Sequence, residues 1–405
     1  IHIPAMYIDM RDKLLTLFAV AIVLGAVVGL ITIGAGANQG TILDRQSDAE
    51  VPSNITLSDT EAGPSDTNGI ESNSEQIITY TIIADKQTNI NNTKLEKFGE
   101  VETTSGRLVE IRTSPKHQED ISDISWVVEI REASQPVRGD VEGSGNISSL
   151  GVERLHQRGV TGKGVKIGVI DFGFDTESSS IRNNIAGERR FSQSSGLDHG
   201  TAVAQVVTKT APDASLYLAT ARTTTDVAAS LDYFSEQGVD IVVMSVSYPT
   251  LNDDGNHILA QPIADARSDG ILYINSAGNY RDKHWEGPFT DNDDDSFHEF
   301  NDNIDERNCI PSCERVAVSG QFRATLDWER EGDGSKYRIG LYDPTTQEVF
   351  ASSYERFGSA SHNRQWIDTQ IRERPIDLII QNTEGPPNDD LELYVYNRPL
   401  ERSIG

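Results

Sequence analysis

Cysteine is scarce in this chain of 405 residues: only Cys309 and Cys313 occur, in the run Cys309-Ile-Pro-Ser-Cys313. Two cysteines exclude a disulfide-dense scaffold and leave either two free thiols or one local disulfide in an exported protein. A zinc site needs more ligands than this pair and His298 supply, which argues against one here. Basic residues are also in deficit, with Lys+Arg 35 against Asp+Glu 63 and a formal net charge of −28. That balance argues against nucleic acid or an anionic membrane surface as a partner, and it favours solubility and cation binding. Arginine outnumbers lysine, and the composition fits a protein of a salt-loving microorganism as well as an acidic secreted one. The length is too great for one ordinary domain.

Past the N-terminus the chain divides by composition. After Arg11-Asp12-Lys13 an apolar run extends from Leu14 to Ala35, long enough at about 20 residues to cross a bilayer. It reads as a secretion signal, for which Ala35-Gly36-Ala37 offers a small-x-small cleavage site, or as a retained anchor. Either sends the protein out of the cell or to its surface. Met10 is a better start than Ile1, so the first nine residues read as translated upstream sequence. Residues 38–75 are rich in Ser, Asp, Asn, Thr and Gly and form a polar linker. Residues 76–135 alternate in hydrophobicity at Ile77 to Ile83, Leu108 to Ile111 and Trp126 to Ile130, which predicts a small α+β unit. Three triplets, Asn54-Ile-Thr56, Asn91-Asn-Thr93 and Asn146-Ile-Ser148, match the glycosylation acceptor pattern.

From 150 to 285 apolar strand-like runs alternate with helical periods. Strands are predicted at Val165 to Ile170, Leu216 to Ala219, Ile241 to Val246 and Leu272 to Asn275; helices are predicted after His199, at Asp226 to Gln237 and at Gln261 to Ser268. The pattern is α/β with a parallel sheet, whose chemistry belongs at the carboxyl ends of the strands. From 286 to 400 the helical period gives way to short runs at Val316 to Val318, Gln321 to Trp328, Tyr337 to Tyr342, Ile376 to Gln381 and Leu391 to Tyr396. Gly, Asp, Asn and Pro turns separate them, and a β-sandwich is expected.

Three segments concentrate chemistry: Val169-Ile-Asp171-Phe-Gly173, Asp198-His199-Gly-Thr201 and Ser276-Ala277-Gly278-Asn279. Asp171 would emerge at a strand end, where a carboxylate can accept a hydrogen bond from imidazole Nδ1–H. His199 would open a helix, whose dipole suits a base that is neutral before it acts. The Asn279 amide can donate to an oxyanion. Each residue alone is more often a cap or a turn residue. A nucleotide-binding loop at Gly168 to Gly173 is discounted, because Gly-x-Gly-x-x-Gly spacing is absent.

Together, in this order, the three segments resemble the subtilisin-like serine proteases, peptidase family S8, over residues 151–285. The resemblance implies a parallel-sheet subtilisin-like core preceded by an inhibitory-propeptide-like α+β unit and followed by the β-sandwich. It implies Asp171, His199 and Asn279 as catalytic residues, no cofactor for the chemistry, and a polypeptide as substrate. Ser245, Val246 and Ser247, with Ala277 and Gly278, would hold an extended substrate backbone by strand addition. The family usually has Gly where Ser247 stands. It also carries a nucleophile in Gly-Thr-Ser-x-Ala-x-Pro, a segment absent from these residues. Ser359 and Ser361, in Gly358-Ser-Ala-Ser-His362, lack that helix start and are rejected. Truncation is the simplest expectation, and a catalytically dead, peptide-binding or adhesive subtilase fold is the alternative.

A last segment, Asp291-Asn-Asp293-Asp-Asp295-Ser-Phe-His-Glu299, places oxygen ligands at alternate positions before a glutamate, as structural calcium loops do. Asp291, Asp293, Asp295 and Glu299 are the candidate ligands, although Ser296 stands where glycine is usual. A solvated acidic loop is the plainer reading.

Overall fold

A computed structural model describes residues 77–85, 90–134, 137–138, 151–194, 196–248, 251, 257–276, 278, 280, 283–300, 308–310, 318–329, 335–353 and 362–396. The apolar run 14–35, the linker and Asn146 lie outside the described residues. Among those described, no helix is long and apolar enough to cross a membrane. The chain divides into two compact units, with the boundary at Asn279 and Tyr280.

The first unit begins with a four-stranded antiparallel sheet. Its strands are β1 (Ile78–Ala84), β2 (Gly99–Ser105), β3 (Leu108–Thr113) and β4 (Val127–Glu132), in the order β2-β3-β1-β4. Two short helices, α1 (Asn92–Leu95) and α2 (Gln118–Ser122), complete it. Asn91, first residue of one acceptor triplet, is exposed and caps α1 by accepting from the Thr93 N–H at 3.1 Å. β3 is buried on both faces. Val109 and Ile111 join Leu95, Ile121 and Trp126 in the sheet's own core. The alternate positions turn the other way: Leu108 packs into the core of the α/β layer, and Glu110 meets Thr223. The period of two in a strand thus lets one element serve two cores.

The α/β layer is a five-stranded parallel sheet in the order β11-β9-β6-β8-β7, with β6 (Lys166–Asp171), β7 (Ile185–Arg190), β8 (Ser215–Thr220), β9 (Ile241–Met244) and β11 (Leu272–Asn275). Between these lie α3 (Val152–His156), α4 (Leu197–Thr210), α5 (Thr224–Gln237) and α6 (Ala260–Ser268), with two short strands, β5 (Val137–Arg138) and β10 (Val246–Ser247). Val203, Ala204 and Val207 of α4 cover one face of the sheet against Ile167, Val169, Leu216 and Leu218. Val227, Leu231 and Phe234 of α5 and Ala266 of α6 cover the other against Ile170, Ala219, Val242 and Met244. Both faces being buried explains the unbroken apolar strands. β7, which sequence reading did not find, is an edge strand, Ile-Ala-Gly-Glu-Arg-Arg, mostly exposed; charge on an edge discourages further pairing and hides the strand pattern.

The second unit is a sandwich of two four-stranded antiparallel sheets. One has the order β12-β19-β14-β17 and the other β13-β18-β15-β16. Their strands are β12 (His284–Pro288), β13 (Asn308–Ile310), β14 (Val318–Glu329), β15 (Lys336–Asp343), β16 (Glu348–Ser352), β17 (His362–Arg374), β18 (Ile376–Glu384) and β19 (Asp390–Val395). Phe322, Leu326, Ile339, Leu341, Leu378 and Leu393 are fully buried between them. The predicted runs from Gln321, Tyr337, Ile376 and Leu391 fall on β14, β15, β18 and β19, while Val316 and Ala317 of the first run lie outside the described residues. β17 escaped notice because Arg364, Gln365, Trp366 and Ile367 are all buried in succession, and Arg364 pairs with Asp327 directly across on β14. The backbone of Cys309 lies in β13; its side chain, and all of Cys313, lie outside the described part.

Candidate active site

The sheet order makes β6 the strand from which the chain builds outward in both directions, so its carboxyl end is a topological switch point. Asp171 is the last residue of β6 and is fully buried. One carboxylate oxygen accepts from the Phe172 N–H at 2.8 Å. The other lies 2.8 Å from His199 Nδ1. With the carboxylate accepting, Nδ1 is the donor of this bond and Nε2 is the ring nitrogen left outside it.

His199 stands in the first turn of α4, 6% exposed. Its position depends on Gly200. A Cβ there would sit 2.2 Å from the Gly173 carbonyl oxygen and 2.9 Å from Asp171 Cβ; glycine therefore lets the helix start approach the end of β6 closely enough for the side chains to bond. Thr201 pins the same junction, accepting from the Asp175 N–H at 2.8 Å and donating to the Leu197 carbonyl at 2.5 Å.

Beside the pair runs the predicted substrate edge. Ser245 and Ser247 are half-buried and Val246 is buried. β10 is already paired: β5 lies antiparallel to it, Arg138 opposite Val246 and Val137 opposite Ser247. This pairing, which sequence reading missed, sets a short extended segment of the same chain against that edge. At the end of β11 the Ser276 N–H donates to the Met244 carbonyl at 3.0 Å, and Gly278 has φ +83°, a conformation that glycine adopts without strain. Ala277 and Asn279 lie outside the described residues, as do Ser359 and Ser361.

A second cluster of acids lies where the β1–β4 sheet meets the α/β layer. Thr223 and Asp226 form a capping box at the start of α5: the Thr223 hydroxyl accepts from the Asp226 N–H, and the Asp226 carboxylate accepts from the Thr223 N–H, both at 3.2 Å. From the facing sheet the Thr103 hydroxyl donates to Asp226 at 2.9 Å. The Thr223 hydroxyl donates to the Glu110 carboxyl, and Ser105 donates to Asp232 at 2.7 Å. Burial, and then the neighbouring Asp226 charge, push the Glu110 carboxyl up to about 8. Both acids line a cavity of about 1000 Å³ with Glu102, Arg112, Arg190 and Arg222.

In the second unit, carboxylate oxygens of Asp291, Asp293 and Glu299 all lie within 4.8 Å of one another. Asp295 is outside this group and instead accepts from the Phe297 N–H at 2.8 Å. Ser296 takes φ +78°, the conformation for which glycine is usual in such loops.

A carboxylate-held imidazole at the carboxyl end of the central strand, beside an edge that takes up an extended backbone, defines a subtilisin-like class of site. Residues 162–304 match the Peptidase S8 model, the Subtilase family, and over this stretch the chain is similar to that family. It is 28% identical over 161 residues to the major intracellular serine protease of Bacillus subtilis (strain 168), covering 34% of this chain and 49% of the relative. It is 29% identical over 154 residues to subtilisin E of the same organism, covering 33% and 39%. The chain thus spans about half or less of these curated relatives. Among solved structures, the epidermin leader peptide processing serine protease of Staphylococcus aureus aligns over 49% of this chain and 60% of that chain, at 12% identity and TM-score 0.37. Fervidolysin of Fervidobacterium pennivorans, a keratinolytic enzyme related to subtilisin, aligns over 52% and 41%, at 15% identity and TM-score 0.35.

Proposed function

We propose that the protein is a serine endopeptidase of the subtilase kind, acting on polypeptides by acyl transfer. The observation that carries this reading is the Asp171–His199 hydrogen bond at the end of the central strand. In the proposed reaction His199 Nε2 takes the hydroxyl proton of a serine as its oxygen attacks the scissile carbonyl. The same proton then passes to the leaving amine, and water releases the acyl group by the reverse sequence. Asp171 holds the tautomer and stabilises the imidazolium. By family likeness Asn279 donates to the oxyanion. No cofactor is required for these steps. None of the 405 residues falls in a Gly-Thr-Ser-x-Ala-x-Pro segment, and the nucleophile is assigned to a segment outside them.

The pairing of β5 with β10 supports two further parts of the reading. A substrate would bind as an added strand along 245–247. The β1–β4 sheet with its β5 tail would act as an inhibitory propeptide that fills that edge until it is cleaved. The apolar run 14–35 supports export to the cell surface or beyond.

The same pairing also favours a second reading, a peptide-binding protein without turnover. The coding DNA read on both sides of this region separates them. An in-frame Gly-Thr-Ser-x-Ala-x-Pro downstream, with peptide hydrolysis that His199→Ala abolishes in the extended protein, supports the peptidase. A stop codon with no such segment nearby, and peptide binding without hydrolysis, leaves the binding reading. Turnover by the 405 residues alone that vanishes in His199→Ala would refute the placement of the nucleophile outside them.

A further inference from the structure

The loop between β12 and the strand-like pairing at Phe297 holds three carboxylates, Asp291, Asp293 and Glu299, with no protein cation paired to them among the described residues. Asp291 accepts from the Asp295 and Ser296 N–H groups at 3.0 and 2.9 Å, one on each oxygen. Glu299 Oε1 accepts from the Asn292 N–H at 2.6 Å. Asp293 is exposed. Glu299, in contrast, is 3% exposed, and its Oε2 is buried without any hydrogen-bond partner. A buried carboxylate oxygen left unpaired is costly, and such a group calls for a ligand.

The spacing identifies that ligand. Two oxygens bound to one calcium ion at about 2.4 Å lie at most about 4.8 Å apart, and the oxygens of Asp291, Asp293 and Glu299 meet that limit. All three donors are hard oxygens. The neighbouring imidazole is not among the ligand atoms that converge here: His298 Nδ1 accepts from the Thr290 N–H at 3.0 Å, and its ring sits 4.6 Å from those of both Trp285 and Phe300.

We propose that Asp291, Asp293 and Glu299 form a binding site for a hard divalent cation of the calcium class. The site staples the sandwich. The loop leaves β12 in one sheet and reaches the other, where the His298 N–H donates to the Ile380 carbonyl at 2.9 Å and Phe297 bridges Gln381. A cation held across 291, 293 and 299 fixes that crossing and stabilises the folded unit by mass action.

Terbium luminescence sensitised by nearby aromatic rings tests this on the full 405-residue chain, after dialysis against chelator. The expected result is saturable emission chased by calcium, with a melting temperature that rises with calcium. Asp293→Asn, at an exposed position, should weaken binding by about tenfold or more, since loop affinity follows ligand charge. Glu299→Gln should do the same, and Asp294→Asn should leave the titration unchanged. No calcium-displaceable emission in the natural sequence overturns the proposal. So does Asp293→Asn titrating like the natural sequence, or Asp294→Asn losing as much as Asp293→Asn.

Discussion

Asp171 and Glu110 both lie on interior strands of the first unit and are almost sealed from water, at 0% and 3% exposure, yet the polar groups that meet them differ. Asp171 meets two donors, an imidazole Nδ1–H and a backbone N–H. Glu110 meets one hydroxyl and, beyond it, the Asp226 carboxylate. For Glu110 burial raises the carboxyl most, and the Asp226 charge adds to it. The first acid joins β6 to the start of α4, and the second joins two layers while it holds a proton.

The sharpest way to break the comparison is Asp171→Asn. Removing the charge while keeping the shape permits the wrong imidazole tautomer, and turnover by the protein carrying its nucleophile should fall about 10⁴-fold. Peptide hydrolysis kinetics measure this; a loss under tenfold would remove Asp171 from its role.

Next in size is Gly200→Ala. The added Cβ collides with backbone at Gly173 as well as with Asp171, and overpacking of this kind costs about 1–3 kcal/mol. Thermal unfolding should register that loss, together with displacement of His199. A melting temperature equal to that of the natural sequence would show that the close approach matters less than the geometry indicates.

The mildest test lies on the Glu110 side. A carboxyl whose folded pKa is raised to about 8 contributes stability that is complete below its unfolded value, about 4.5, and is lost as the pH climbs from there through 8. Between pH 6 and 8 the loss should be about 1 kcal/mol per pH unit. The other charged groups about that cavity are Glu102, Asp226, Arg112, Arg190 and Arg222, so Glu110→Gln is the control. It keeps a neutral partner for Thr223, and the pH dependence of unfolding should flatten. An unchanged slope would assign the effect to another of these groups.

Much of the α/β layer was legible in the sequence because its strands are buried on both faces and its helices on one, which leaves plain apolar periods at Ile167 to Ile170 and Val227 to Phe234. The Asp171–His199 pair was legible because glycines mark the turns that bring β6 and α4 together. What escaped were features whose meaning depends on distant partners. β17 hides its strand period because buried Arg364 is matched by Asp327 on another strand. The Glu110–Thr223 contact joins residues 113 positions apart, and the alternation in β3 gives no sign of a second core. β5 is two residues long and has no pattern to read; only its partner β10 makes it a strand.

The sandwich also has a consequence in time. Its first strand, β12, pairs along its whole length with β19, His284 opposite Tyr394 and Pro288 opposite Asp390, so neither edge can be completed until the intervening hundred or so residues have been made. Closing so long a loop is entropically slow to begin. On the ribosome, the β1–β4 sheet, whose strands pair within one short stretch of chain, has its partners long before β12 finds β19. The sandwich is thus the part of the molecule that waits, with apolar strands such as β14 and β15 exposed meanwhile, and the part on which chaperones and aggregation would compete.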